Sequence, residues 1–130
     1  MRTAFLLFVA LTYIGFGAFV VVNPAPLFEF FRLDPATLDL RLLNDLRAVY
    51  GGLNVGLGVW FLYTAIEAPR HRAGLITTAL VVGGYLLGRI AGFVADGIPD
   101  GALLAFVAFE VVLLGLALIL LATLRKRPAQ

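Results

Sequence analysis

The sequence predicts an all-α integral membrane protein: a four-helix bundle in one domain, residues 1–130, with an interfacial amphipathic segment between helices 1 and 2. Three observations predict it. Of the 130 residues 62% are hydrophobic and the mean hydropathy is +1.00, against about 45–50% apolar residues in soluble domains. A soluble chain this short could not hide so much apolar surface. The apolar residues also gather into four stretches, each near the ~20 residues a helix needs to cross a bilayer. Between them lie proline- and charge-bearing breaks that end helices.

The first span covers residues 3–22. Its apolar run is too long for the core of a signal peptide, and no small-residue cleavage site follows it, so it reads as a retained helix. Asn23-Pro-Ala-Pro26 ends it, because proline lacks the amide proton and disfavours helix in the residue before it. Phe28, Phe30, Phe31 and Leu33 beside Glu29 and Arg32 suit a segment in the headgroup region. Asp34-Pro35 predicts a helix start, with an N-cap acceptor and proline at the first helical position. Leu38 and Leu42 with Asp39, Arg41 and Asp45 make an amphipathic lead-in to the second span, residues 46–66. A short turn at 67–72 precedes the third span, 73–95. An Asp-Gly-Ile-Pro-Asp-Gly turn at 96–101 precedes the fourth, 102–124. The basic tail that follows is expected to fray.

Counting arginine and lysine by side sets an orientation. Arg2, Arg70, Arg72, Arg125, Lys126 and Arg127 share one face, and Arg32, Arg41 and Arg47 the other. The positive-inside rule then places both termini in the cytoplasm, which in a bacterial inner membrane makes a multi-pass protein. The basic balance is a net charge of only +2, gathered at loops and tail, and does not point to nucleic acid. Cysteine is absent, which excludes disulfides, thiol catalysis and thiolate metal sites.

The glycines come next. Gly52 and Gly56 form a GxxxG pair with Gly51 beside them, and Gly84, Gly88 and Gly92 repeat the four-residue step in the third span. Small residues at that spacing let helix backbones approach in lipid, where packing drives association. Together with Gly15 and Gly17 in the first span and Gly115 in the fourth, they serve a homo-oligomer interface or packing within the bundle. Packing within the chain is preferred, because a chain with several such faces must first pack itself.

Intramembrane charge is costly and faces a partner or a cavity. Asn54 lies ~12 Å inside the non-cytoplasmic end of its helix, Glu110 ~13 Å and Arg89 ~9 Å at the helical rise per residue, so the three share a layer. Arg47, Tyr50, Gly51, Asn54 and Gly58 follow a 3–4 spacing on one stripe; Tyr85, Gly88, Arg89, Gly92 and Asp96 follow another. The expectation is a polar ligand-binding cluster of Arg47, Tyr50, Asn54, Tyr85, Arg89 and Glu110, with Asp96 near the rim. At its plainest the cluster is a braced Arg89–Glu110 ion pair. Two arginines facing one deep carboxylate leave a guanidinium for an anionic headgroup, carboxylate or phosphate.

Catalysis has thin support. The one histidine, His71, lies in the cytoplasmic turn beside two arginines and reads as a solvated loop residue. The chain contains no serine, and no carboxylate pair suggests a metal. No phosphate-binding loop is present, since Gly52-Leu-Asn-Val-Gly-Leu-Gly58 lies within a span. No catalytic residue, metal or cofactor is therefore expected. Small multidrug transporters share four spans and a membrane glutamate. Here the carboxylate is in the fourth span, not the first, and is matched with arginine, which argues against proton exchange.

The block RAVYGGLNVGLG at 47–58, the block GRIAGFVADGIP at 88–99 and a glutamate in the last span resemble the small bacterial membrane proteins grouped as domain of unknown function 4345. The likeness covers nearly the whole chain. It implies a four-span bacterial inner-membrane protein and marks Arg47, Tyr50, Gly51, Gly52, Gly88, Arg89, Asp96, Gly97 and Glu110. It brings no activity with it. The function expected is a non-enzymatic binding or accessory protein, with membrane lipids or a larger membrane complex as partners. A small transporter using Glu110 comes second and a membrane-embedded isomerase third.

Overall fold

The computed structural model describes residues 1–99 and 101–125, and the side chain of Arg125 is outside that description. Asp100 of the third turn and the tail from Lys126 and Arg127 onward, expected to fray, lie outside the described residues. The described residues are mostly helical and contain no strand. Four helices are long and apolar enough to cross a membrane: Arg2–Val22, Leu40–Ile66, Ala68–Asp96 and Gly101–Leu124. The chain is a multi-pass membrane protein of all-α class. By packing it divides after Ala68 into two compact units.

In the first unit, α1 (Arg2–Val22) is followed by the short α2 (Ala25–Phe30), then α3 (Leu40–Asp45), a π-helical turn (Leu46–Gly52) and α4 (Leu53–Ile66). Helix α1 packs along α4 and the π-turn. The two run in opposite directions, since Gly17 meets Gly51 while Ala10 meets Gly58. Ala10 and Gly17 on one helix, and Gly51 and Gly58 on the other, are seven residues apart, which returns to the same helix face. The approach is backbone on backbone. A methyl at Gly17 would sit 2.7 Å from the Gly51 oxygen and 2.7 Å from the Val55 nitrogen. One at Gly58 would sit 2.5 Å from Ile14 and 3.0 Å from the Ala10 oxygen. Below this seam the Tyr13 and Phe61 rings meet edge to face at 5.3 Å.

Helix α2 follows the proline break. It ends in a Schellman motif: the Leu33 N–H donates to the Phe28 oxygen (2.7 Å) and the Arg32 N–H to the Glu29 oxygen (3.1 Å). Arg32 occupies the left-handed position of the motif with φ 54°, where glycine is usual. Phe28 and Leu33 close on a core of Val20, Leu27 and Leu46, so the segment folds back over the open end of the α1–α4 seam. The expected helix start at Asp34-Pro35 is corrected. The Asp34 carboxylate accepts from the Ala36 N–H (2.9 Å) and its carbonyl from the Thr37 N–H (3.1 Å), making one isolated turn. Asp39 caps the helix instead, accepting from the Arg41 N–H at 2.9 Å. A second Asx residue five positions on offers the same cap, directly before the apolar run.

The second unit pairs α5 (His71–Asp96) with α6 (Gly101–Arg125), and a 3₁₀ turn (Ala68–Arg70) leads into α5. Gly97 ends α5 with φ 95°, a backbone region that side chains avoid. Glu110, Leu113, Ala117 and Leu120 are buried on one stripe of α6. His71 is corrected: it is the first residue of α5 and is buried at 9% exposure.

Two predictions follow from the packing. Gly17→Ala and Gly58→Ala should each destabilise the protein by about 1–3 kcal/mol, while Gly56→Ala and Gly88→Ala leave thermal unfolding in detergent unchanged. Arg32→Gly should be more stable than Arg32→Ala by about 1 kcal/mol. Both substitutions remove the side chain, so the difference in melting isolates the backbone.

Candidate functional site

Arg47, Tyr50 and Asn54 belong to the first unit; Tyr85, Arg89, Asp96 and Glu110 belong to the second. Each set has its own geometry.

In the first set the π-turn decides which residues face α1. The buried positions along this span are Leu46, Gly51, Asn54, Gly58, Phe61 and Ala65, with Thr64 buried beside the last. Below Gly51 they alternate by three and four, as an α-helix requires. From Leu46 to Gly51 the step is five, and it coincides with the π-turn. The expected stripe took Arg47 as the next seam residue. The wider turn puts Leu46 there, against Val20 and Leu27, and leaves Arg47 and Tyr50 exposed. A π-turn inserts one residue into the helical count, which rotates everything before it by about one residue step.

Such a turn carries a specific debt in hydrogen bonds. The Leu53 N–H reaches back to the Ala48 oxygen, a five-residue bond. Where five-residue bonds give way to four-residue bonds, one carbonyl is left without a backbone partner. The Asn54 side-chain amide supplies it, donating to the Val49 oxygen at 3.2 Å and the Tyr50 oxygen at 3.0 Å. Asn54 is 8% exposed, and its Cβ lies against Gly17. Outside the seam, the Tyr50 ring meets Phe31 at 5.5 Å, and Phe31 meets Phe30 at 5.1 Å. Among the described residues Arg47 makes no ion pair and no side-chain hydrogen bond.

In the second set Arg89 and Glu110 form a two-point fork. Arg89 Nε donates to Glu110 Oε2 and Nη2 to Oε1, each at 2.7 Å. The side chains are 26% and 10% exposed. Parallel bonds from a planar guanidinium to both carboxylate oxygens are the strong form of this contact. Tyr85 and Asp96 are exposed on α5.

The glycines divide differently from the expected set. Gly51 lies in the seam, where a methyl would meet Val21 Cγ2 at 2.6 Å. At Gly52 a methyl would meet only the Arg47 carbonyl, at 3.9 Å, and at Gly56, Gly84, Gly88 and Gly92 nothing described within 4 Å. Gly17, from the first span's glycines, and Gly58, from the expected stripe, share the closest approach with Gly51. The seven-residue spacing shared by Ala10 with Gly17 and Gly51 with Gly58 distinguishes them from the four-residue GxxxG glycines. Among the described residues no group of three or more metal-ligating side chains gathers.

The family model of a domain of unknown function, DUF4345, matches residues 1–121, and the chain belongs to that family. Comparison with curated proteins and with solved structures returned no match.

The fork predicts a characteristic double-mutant result. Arg89→Gln or Glu110→Gln alone leaves a charge uncompensated in the span and should cost about 3–5 kcal/mol. Arg89→Met with Glu110→Leu should recover most of that loss in thermal unfolding, because an apolar pair needs no counter-charge in lipid.

Proposed function

From membership of a family that brings no activity, we propose that the protein is a non-enzymatic membrane binding protein. It holds an anionic lipid headgroup or amphiphile at the non-cytoplasmic mouth of its second span. The membrane is the bacterial inner membrane, with both termini cytoplasmic by the six-to-three distribution of basic residues.

The observation that carries this reading is Arg47. It is an exposed guanidinium at a span entrance, without a charge partner among the described residues. One turn away stands Tyr50, with its ring on Phe31. An arginine beside an aromatic pair at headgroup depth offers a planar donor to a phosphate or carboxylate and an apolar platform to the chain behind it. The Arg89–Glu110 fork acts here as a brace within the second unit. Its occupation of both Glu110 oxygens speaks against the transporter reading, which needs that carboxylate to exchange its partner.

Native mass spectrometry of the gently solubilised protein tests the reading. The wild type should retain an added mass in the range of a phospholipid or acidic amphiphile. Arg47→Gln should lose it with its melting temperature retained, and the Arg89→Met/Glu110→Leu protein should keep it. A bare wild-type chain would overturn the proposal and favour docking to a larger membrane complex.

A further inference from the structure

The π-turn has an alternative. If residues 46–52 continued as α-helix, every carbonyl in the turn would meet a backbone N–H, and Asn54 would have nothing to hold. The price of that register is positional: Arg47 would enter the apolar seam beside Val20 and Leu27, and Leu46 would turn outward. The observed register reverses both terms. Leu46 is 6% exposed and packed, Arg47 is outside, and the orphaned carbonyl needs a donor that only a side chain can give.

From these opposed terms we infer that residues 46–52 form a two-register turn, and that Asn54 is the positioning residue that holds it in the π register with Arg47 presented outside the seam. Asn54 is suited to this because one amide reaches two carbonyls, Val49 and Tyr50, while its Cβ stays in contact with α1 at Gly17. A ligand that binds Arg47 outside the seam stabilises the same register, so occupancy and register are linked. That linkage rests on the proposed anion site; the register itself does not.

The chain has no cysteine, so single introduced thiols report without background. Leu46→Cys should react slowly with N-ethylmaleimide in detergent, as should Ala65→Cys, whose position is fully buried in α4. Adding Asn54→Leu should raise the rate at position 46 by roughly tenfold or more, as a register populated at a few per cent becomes dominant. Position 65 should stay protected. Deleting Ala48 in that same background removes the inserted residue, and should return Leu46→Cys to slow labelling, because a regular helix then places Leu46 four residues before Gly51. Position 46 remaining protected in the Asn54→Leu protein while it melts earlier would overturn the inference. So would positions 46 and 65 becoming reactive together, or deletion of Ala48 failing to restore protection.

Discussion

The close approach of α1 to the second span at Gly17, Gly51 and Gly58 is the constraint from which the rest of the first unit follows. Lipid tails are as apolar as leucine, so two spans gain little by burying leucines against each other. What they gain is backbone contact, and only missing side chains permit it. With Ala10 opposite Gly58 and Gly17 opposite Gly51, the inward face of the second span is set at seven-residue intervals. Every residue before Gly51 must then fit that face or be moved off it. Arg47 is the residue that does not fit, since a guanidinium beside Val20 and Leu27 would lack any counter-charge or water. One inserted residue moves it, and one amide covers the carbonyl that the insertion leaves.

The second unit meets the same difficulty with charge in another way. Arg89 is not rotated out of its helix pair but matched in place by Glu110 from α6. Relocation suits a residue at the mouth of a span, where headgroups and water are one turn away. Pairing suits a residue about two turns inside, where no rotation reaches water. The two solutions explain why the deep arginine has a carboxylate partner while the shallow one has an asparagine two turns on and, among the described residues, no carboxylate.

How far the sequence could be read depends on which rule each feature obeys. Four helices long and apolar enough to cross a membrane were legible, because hydropathy and proline breaks act locally, while the lead-in at Leu40–Asp45 and the 3₁₀ turn at Ala68–Arg70 extend the second and third beyond the apolar runs. The Arg89–Glu110 fork was legible because an intramembrane charge demands a partner. The contact glycines were legible in part: Gly51 and Gly58 lay on the expected stripe and Gly17 among the first span's glycines, but not which of all the glycines make contact. A GxxxG pair such as Gly52 and Gly56 names a spacing but not the face that meets a neighbour, and the seam uses a seven-residue repeat instead. The π-turn was invisible to any reading that assumed 3.6 residues per turn, so Arg47, Tyr50 and Asn54 looked like one stripe. His71 was misplaced because burial of a residue at a helix start depends on tertiary neighbours that periodicity does not report. The choice of Asp39 over Asp34 as the cap turned on two equivalent local signals, resolved by the apolar run that follows the second.

The presence of both Arg47 and Asn54 bears on the proposed site because the fold alone does not require either. A straight α-helix with an apolar residue at 47 would pack Val20 and Leu27 without a five-residue step. It would leave no carbonyl orphaned, and it would accept a small apolar residue at 54 against Gly17. The chain instead carries an arginine at the position the seam would claim, a turn that removes it, and a buried asparagine that makes the turn tolerable in lipid. Three departures from the simplest sequence converge on one result, a guanidinium held outside the helix pair beside the Tyr50 and Phe31 rings. Buried polar side chains in lipid cost stability unless they are bonded, and among the described residues the Asn54 amide donates to the turn it supports. The asparagine and the turn are therefore intelligible together as a support for Arg47. What they support is a guanidinium kept outside the helix pair.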